Sequence, residues 1–275
     1  MKKLVNHLEL EKKRIEAKLL TLFPETSDDL LFEAARYSLL SPGKRLRPLL
    51  TCISGQIFEA DPSLILYPAC ALECIHTFSL IHDDLPCMDN DDLRRGRPTL
   101  HKVYPESHAL LTGDFLLNYA FSLLSARLDM APQTQLALIQ SLVKSTGEWG
   151  MIGGQALELL TENKASLCWE TLSKIHEKKT AALFSSALEM GAILGKGTTQ
   201  DRDLLVRIGK HFGIAFQILD DLEDGDGSLS ILSRSEATSL VHSEIALMNH
   251  LLQELSVESD FLGQVLVYFL KLPLS

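Results

Sequence analysis

No CxxC pair occurs among the five cysteines, Cys52, Cys70, Cys74, Cys87 and Cys168, and no secretory leader is expected before them. An odd number of thiols without a leader reads as reduced cysteine in a cytoplasmic protein, not as a disulfide framework. The opening stretch MKKLVNHLELEKKR carries charge with no continuous apolar run behind it, so no signal peptide is expected. No run of about 18 uncharged apolar residues is present, so no transmembrane segment is expected either. Paired His or Cys ligands are missing, which sets zinc aside. The Glu-x-x-His pairs of a di-iron carboxylate bundle have no matching set here. Basic charge is in short supply: the formal net charge is −10. With no broad basic patch to offset it, a general nucleic-acid binder is disfavoured. A small anionic ligand is still allowed, because local bases or bound metals override an average.

Alternating strand patterns are also lacking, and helical periodicity takes their place. The 275 residues, 46% of them hydrophobic, are enough to bury a single core. Leu4 to Leu22 reads as a helix ended by Pro24, and Ser27-Asp28-Asp29 as the cap of a second helix reaching about Leu40. The spacing predicts further helices at about 47–59, 63–89, 107–128, 132–149, 153–162, 169–194, 201–223, 233–255 and 258–270. Between them lie a basic loop, Ser41-Pro42-Gly43-Lys44-Arg45-Leu46-Arg47-Pro48, and a polar loop from Asn90 to Thr99. No composition shift divides the array, so one all-α domain over residues 1–275 is expected.

Two acidic clusters stand out: Asp83-Asp84-Leu85-Pro86-Cys87-Met88-Asp89 and Asp220-Asp221-Leu222-Glu223-Asp224. Each follows an apolar helix-forming run. Carboxylates there are costly unless they face water, pair with bases or hold cations. Asp220 and Asp224 are four residues apart and share a helix face, with Gln217 close to it. Asp83 and Asp89 are about 120° apart on an ideal helix. Pro86 offers a way round this: it cannot donate to the carbonyl of His82, and a bend there could turn Asp89 back towards Asp83. Oxygen donors of this kind suit Mg²⁺, whose shell is commonly completed by water and substrate phosphates. The neighbouring Leu93-Arg94-Arg95-Gly96-Arg97-Pro98-Thr99 supplies guanidinium forks for phosphate oxygens. Each feature also has a plainer structural reading, as a solvated helix end or as local charge neutralisation.

Taken in order, the segments GKRLRP, ECIHTFSLIHDDLPCMDNDDLRRGRPT, GGQALEL, a Lys-Thr pair and FQILDDLED resemble the trans-isoprenyl diphosphate synthases, the farnesyl and geranylgeranyl diphosphate synthase family. The resemblance implies an all-α bundle around a central cavity, with both acidic motifs at its mouth and three Mg²⁺ ions bridging them to an allylic diphosphate. It implies that Asp83, Asp84 and Asp89 form the first metal site, and that Asp220, supported by Asp221 and Asp224, forms the second. Arg94, Lys179, Thr180 and Gln217 would bind the allylic diphosphate. Gly43, Lys44, Arg45, His76 and Arg95 would bind isopentenyl diphosphate. Phe78, five residues before Asp83, would limit the growing tail, an aromatic there favouring a fifteen-carbon over a twenty-carbon product. His76 and His82 need not act as bases. A homodimer is implied as well.

The segment after Asp224 departs from the family's pattern of a longer, lysine-bearing loop. No lysine lies between Lys210 and Lys271, and the only arginine there is Arg234. A partner-dependent or non-catalytic subunit of a heteromeric synthase is therefore the second expectation. A terpene cyclase or head-to-head condensing enzyme is disfavoured by the isopentenyl-binding segments and the RRG sequence.

Overall fold

A computed structural model of the protein describes residues 2–25, 29–126, 129–161 and 168–271. The all-α expectation holds, with a single two-residue hairpin among the described residues. The helices are α1 Lys2–Leu22, α2 Leu30–Leu39, α3 Leu46–Ile57, α4 Leu66–Asp83, α5 Leu100–Val103, α6 Glu106–Ser125, α7 Pro132–Thr146, α8 Met151–Thr161, α9 Trp169–Ile175, α10 Ala182–Leu194, α11 Thr199–Asp224, α12 Arg234–Gln253 and α13 Asp260–Phe269. No described helix is long and apolar enough to cross a membrane. The chain groups into two compact units, Met1–Cys52 with Ser63–Leu136, and Ile53–Pro62 with Ala137–Ser275.

In the first unit α4 is the central element. It is buried on nearly every side, through Cys70, Leu72, Ile75, Phe78 and Ile81 among others, as expected of a helix apolar all round. Its main packing partner is α6, with α1 and α2 also against it. Gly113 of α6 makes the close approach possible: a Cβ there would lie 2.1 Å from His82 Nε2. Phe23, Phe32, Phe115 and Tyr119 form a linked ring cluster with centroids 5.0–6.0 Å apart. The cap of α2 is Asp29, which accepts from Leu31 N at 2.8 Å; the other two residues of the expected cap, Ser27 and Asp28, lie outside the described residues.

Two expected boundaries change in this unit. The helix expected over 63–89 stops at Asp83, because Pro86 has no N–H to continue it. The loop from Asn90 to Thr99 contains the antiparallel hairpin β1 Leu93–Arg94 and β2 Arg97–Pro98. Its two turn residues, Arg95 and Gly96, have φ of 55° and 75°. Two successive left-handed residues match the twist of paired strands, and glycine takes that conformation without penalty.

In the second unit α11 packs between α10 and α12. Thr198 and Asp201 form a reciprocal cap at its start, and Gly225, at φ 82°, closes its end. Phe184, Phe212 and Phe216 pack with centroids 4.9–6.1 Å apart. The expected single helix over 169–194 is interrupted: His176–Ala181 forms a wider π-helical turn between α9 and α10. Glycines bring other helices against this turn. A Cβ on Gly154 of α8 would lie 2.4 Å from Lys179 N, and one on Gly213 of α11 would lie 2.4 Å from Ala181 Cα.

Candidate active site

The first acidic cluster is shaped by the stop at Asp83. The His82 carbonyl, which Pro86 cannot serve, accepts from Leu85 N at 3.1 Å instead. Tight turns follow until Asp89 N donates to the Asp83 carbonyl at 2.9 Å. Asn90 sits just beyond in the left-handed region, at φ 54°. The chain thus returns to the helix end, and Asp89 is brought back beside Asp83. Asp83 is half-buried and Asp89 exposed. Asp84 is different: it is 4% exposed and accepts from Arg94 Nε at 2.9 Å and from Arg94 Nη2. Arg94 Nη2 also reaches Asp91 at 3.0 Å. Burial pushes the Asp84 carboxyl above its ordinary range despite Arg94, while Arg94, opposed by burial, is held up by the bond to Asp84 and by the charges of Asp84, Asp91 and Asp83. Arg94 and Asp84 therefore neutralise one another within this unit.

A basic cluster lies on the same unit. His76 precedes Asp83 by seven residues, two turns of α4, so the two lie on nearly one face about 10 Å apart along the axis. Burial, reinforced by Arg47, Arg95, Arg45 and Arg94, depresses His76 well below its ordinary value and keeps it neutral. Arg47 is itself lowered to about 10, chiefly by burial, with Arg95 adding to this and Glu73 opposing it. Arg45 does not face this cluster as a ligand-binding side chain. It is 4% exposed, adopts φ 53°, and donates through Nη1 to Glu73 at 2.6 Å and through Nη2 to the Ser41 carbonyl at 2.8 Å. Gly43 contributes space: a Cβ there would lie 2.5 Å from Arg95 Nη1 and 3.3 Å from Arg45 Nη1. Arg95 Nη1 donates to the Pro42 carbonyl at 3.1 Å, tying the hairpin to the basic loop, and Lys44 is exposed. Arg97 rests 4.3 Å above the Tyr37 ring and donates to Ser41 at 3.0 Å, which fixes the hairpin's other side. Arg47 and Glu73 were not singled out in the sequence reading. The third base of GKRLR was visible there, but nothing in the order of residues indicates which of the three arginine-lysine side chains turns inward.

Phe78 is 5% exposed, and its ring meets the His82 ring edge-on at 5.5 Å. His82 Nε2 lies 3.0 Å from the Leu110 carbonyl, so His82 serves the packing of α4 on α6.

The second acidic cluster ends α11. Asp220 and Asp224 are exposed. Asp221 is 5% exposed, and both its oxygens are engaged. Oδ1 accepts from Gln217 Nε2 at 3.0 Å; Oδ2 accepts from Ser228 N at 2.8 Å and Ser228 Oγ at 2.5 Å, with His176 Nε2 at 3.5 Å. Gln217 Oε1 in turn accepts from Thr180 Oγ1 at 2.8 Å. Thr180 and Lys179 lie on the π-helical turn, and Lys179 pairs with Glu158 of α8. Thr180, Gln217 and Asp221 are thus joined in one chain of hydrogen bonds, which Ser228 and His176 extend. Neither Ser228 nor His176 was foreseen. Ser228 lies beyond the motif, in a stretch distinguished in sequence only by its glycines.

Among the described residues no group of three or more His, Cys, Asp or Glu is already gathered as a metal cage. The donors that remain exposed, Asp89, Asp220 and Asp224, are all carboxylates. This fits Mg²⁺, which takes one or two carboxylates and leaves the rest of its shell to water and phosphate.

The polyprenyl synthetase family profile matches residues 28–248. A chloroplastic geranylgeranyl pyrophosphate synthase of Capsicum annuum is 43% identical over 213 residues, 77% of this chain and 58% of that protein. The chain thus spans little more than half the length of that relative. The farnesyl diphosphate synthase of Bacillus subtilis is 42% identical over 230 residues, 82% of this chain and 77% of that one. The crystal structure of an FPP/GFPP synthase from Zymomonas mobilis superposes with a TM-score of 0.91 at 38% identity, covering 98% of this chain and 99% of that one. The order of motifs, the helical architecture and these matches agree: the chain belongs to the polyprenyl synthetase family.

Proposed function

We propose that the protein is a short-chain trans-prenyltransferase that condenses isopentenyl diphosphate head-to-tail with an allylic diphosphate. The observation that carries this reading is on α4. One helix bears a neutral histidine beside Arg47 and Arg95 and, two turns on, a bent carboxylate cluster. The first feature attracts an anion such as a diphosphate, and the second suits divalent cations.

The exposed Asp89, Asp220 and Asp224 and the half-buried Asp83 would hold Mg²⁺, three ions on the family's pattern, with Asp84 and Asp221 supporting them from buried positions. When bound, Mg²⁺ supplies charge neutralisation for the departing diphosphate. Lys44, Arg47 and Arg95 hold isopentenyl diphosphate, with Gly43 and Arg45 shaping that site and His76 giving a neutral, hydrogen-bonding wall. Arg94, Lys179, Thr180 and Gln217 attend the allylic diphosphate; Lys179 would exchange Glu158 for a phosphate oxygen. The allylic C–O bond ionises, the double bond of isopentenyl diphosphate forms the new C–C bond, and a proton leaves to the released diphosphate. Fixed donors around the leaving group and an apolar surround for the cation lower the barrier without a protein nucleophile.

Phe78 is read as favouring a fifteen-carbon product: it precedes Asp83 by five residues, just over one turn of α4, and its ring packs edge-on against His82. A cytoplasmic homodimer fits the reading. The Lys-free stretch from His211 to Leu270 favours one alternative, a subunit that needs a partner for turnover. The test is incubation with Mg²⁺, isopentenyl diphosphate and either dimethylallyl or geranyl diphosphate, followed by product-length analysis. Farnesyl diphosphate is expected, and Phe78→Ala should shift the product to twenty carbons or more. Absence of product from folded protein would support the partner-dependent alternative. Unchanged product length in Phe78→Ala would remove Phe78 from length control.

A further inference from the structure

We propose that Ser228 is a positioning residue for the allylic half of the site: it latches Asp221 inward and, through Gln217 and Thr180, sets the donors around the leaving diphosphate. The inference rests on the prenyltransferase reading for its catalytic consequence, but the latch itself is a property of the free protein.

The turn after α11 is built around the Asp221 carboxylate. Gly225 N donates to the Asp221 carbonyl at 2.9 Å, and Asp226 N lies 3.3 Å from the same oxygen. Gly227, at φ 49°, passes so close that a Cβ would lie 2.5 Å from Asp221 Cγ. Glycine suits the place on both counts, since any side chain would have to push the Asp221 carboxylate aside. Ser228 is 0% exposed and gives Asp221 two donors, its N–H and its hydroxyl. The Ser228 carbonyl then accepts from Leu232 N at 2.9 Å, so the latch continues into the next turn.

The network has a direction. Asp221 can only accept, so Gln217 must turn its NH₂ to Asp221 and its carbonyl to Thr180. Thr180 then donates its hydroxyl proton to Gln217, which fixes the rotamer of the residue following Lys179. Three residues named by motif order, Asp221 for the second metal site and Gln217 and Thr180 for the allylic diphosphate, are thereby oriented by a serine outside every motif. The short Gly-Asp-Gly-Ser turn stands where the family's pattern has a longer, lysine-bearing loop, and it supplies an internal anchor. Asp221 is also kept away from the exposed face that carries Asp220 and Asp224.

Ser228→Ala removes the hydroxyl donor and keeps the N–H. Loss of a charge-assisted hydrogen bond predicts a rise of about tenfold in KM for the allylic substrate, with KM for isopentenyl diphosphate unchanged. Hydrogen exchange of the free protein should show faster exchange at the amides of residues 225–229. Gly227→Ala, which forces Asp221 aside, should give the same split. Loss of stability alone would move both KM values together, or neither, and either result in a variant with wild-type helical content overturns the proposal. If the wild-type protein has no turnover, the functional reading fails and exchange decides the latch: unaltered protection of residues 225–229 in both variants refutes it, and selective loss supports it.

Discussion

The two acidic clusters use the same pair of adjacent aspartates in different ways. In each, the second aspartate is buried and the last is exposed. Asp84 is held by a full opposite charge, the Arg94 fork, which also reaches Asp91. Asp221 is held by dipoles, the serine N–H and hydroxyl and the glutamine amide, with His176 nearby. Ion pairing secures Asp84 but sets it in competition with any anionic ligand for the Arg94 fork. Hydrogen bonding secures Asp221 without drawing on an arginine or lysine. A chain with no lysine from His211 to Leu270 can fix its second cluster this way because dipoles need no counter-charge.

The sharpest break in the comparison is between the aspartates open to solvent in whole or in part and the buried ones. Asp83→Ala should lower turnover by at least about a thousandfold, the scale of losing a site for a catalytic cation. Thermal melting should scarcely move, and a variant that unfolds, or one that still turns over normally, would dissolve the division between the two kinds of aspartate. Next comes the contrast of charge against dipole. Asp84→Asn strips Arg94 of its main counter-charge and should cost about 2–3 kcal/mol in urea unfolding. Asp221→Asn keeps one acceptor oxygen but turns an NH₂ towards a donor of Gln217 or Ser228, and should cost about 1–2 kcal/mol, less than Asp84→Asn because no full charge is stranded. Equal losses would mean the two carboxylates are held alike. The smallest expected effect is in pH. Arg47 is lowered to about 10 by burial, so affinity for isopentenyl diphosphate should fall as pH rises through that value. Stability should move the opposite way: between about 10 and the ordinary arginine pKa the unfolded chain binds the proton that the folded chain has released. Isothermal titration and denaturation from pH 8 to 11 read both; affinity that is flat through pH 10 places Arg47 outside the anion site.

Local chemistry made much of the fold legible. The long helices, the Asp29 cap and the bend at Pro86 all follow from neighbours in sequence, since capping, proline and periodicity act within a few residues. The acidic and basic segments were legible as chemistry for the same reason. What escaped depends on distant approach. The π-helical turn at His176–Ala181 needs glycines from α8 and α11, which no local pattern announces. Arg45 looks like its neighbours Lys44 and Arg47, but its left-handed backbone and Glu73, 28 residues on, turn it inward. Ser228 looks like an ordinary turn residue until Asp221 is seen beside it. The hairpin at Arg95-Gly96 escaped because two-residue strands carry no readable alternation.

The π-helical turn also fixes a phase. A helix advances about 100° per residue, and a π turn accommodates one residue more than regular winding would. Deleting one residue of His176–Ala181 would therefore restore ordinary winding with α10 nearly in its present phase, and Leu183, Phe184, Ala187 and Leu188 would keep their buried faces. Forcing the turn into regular winding with every residue kept would instead rotate α10 by about 100° against everything before it. The widened turn is thus the means by which the chain holds one residue more without moving the packing surface of α10.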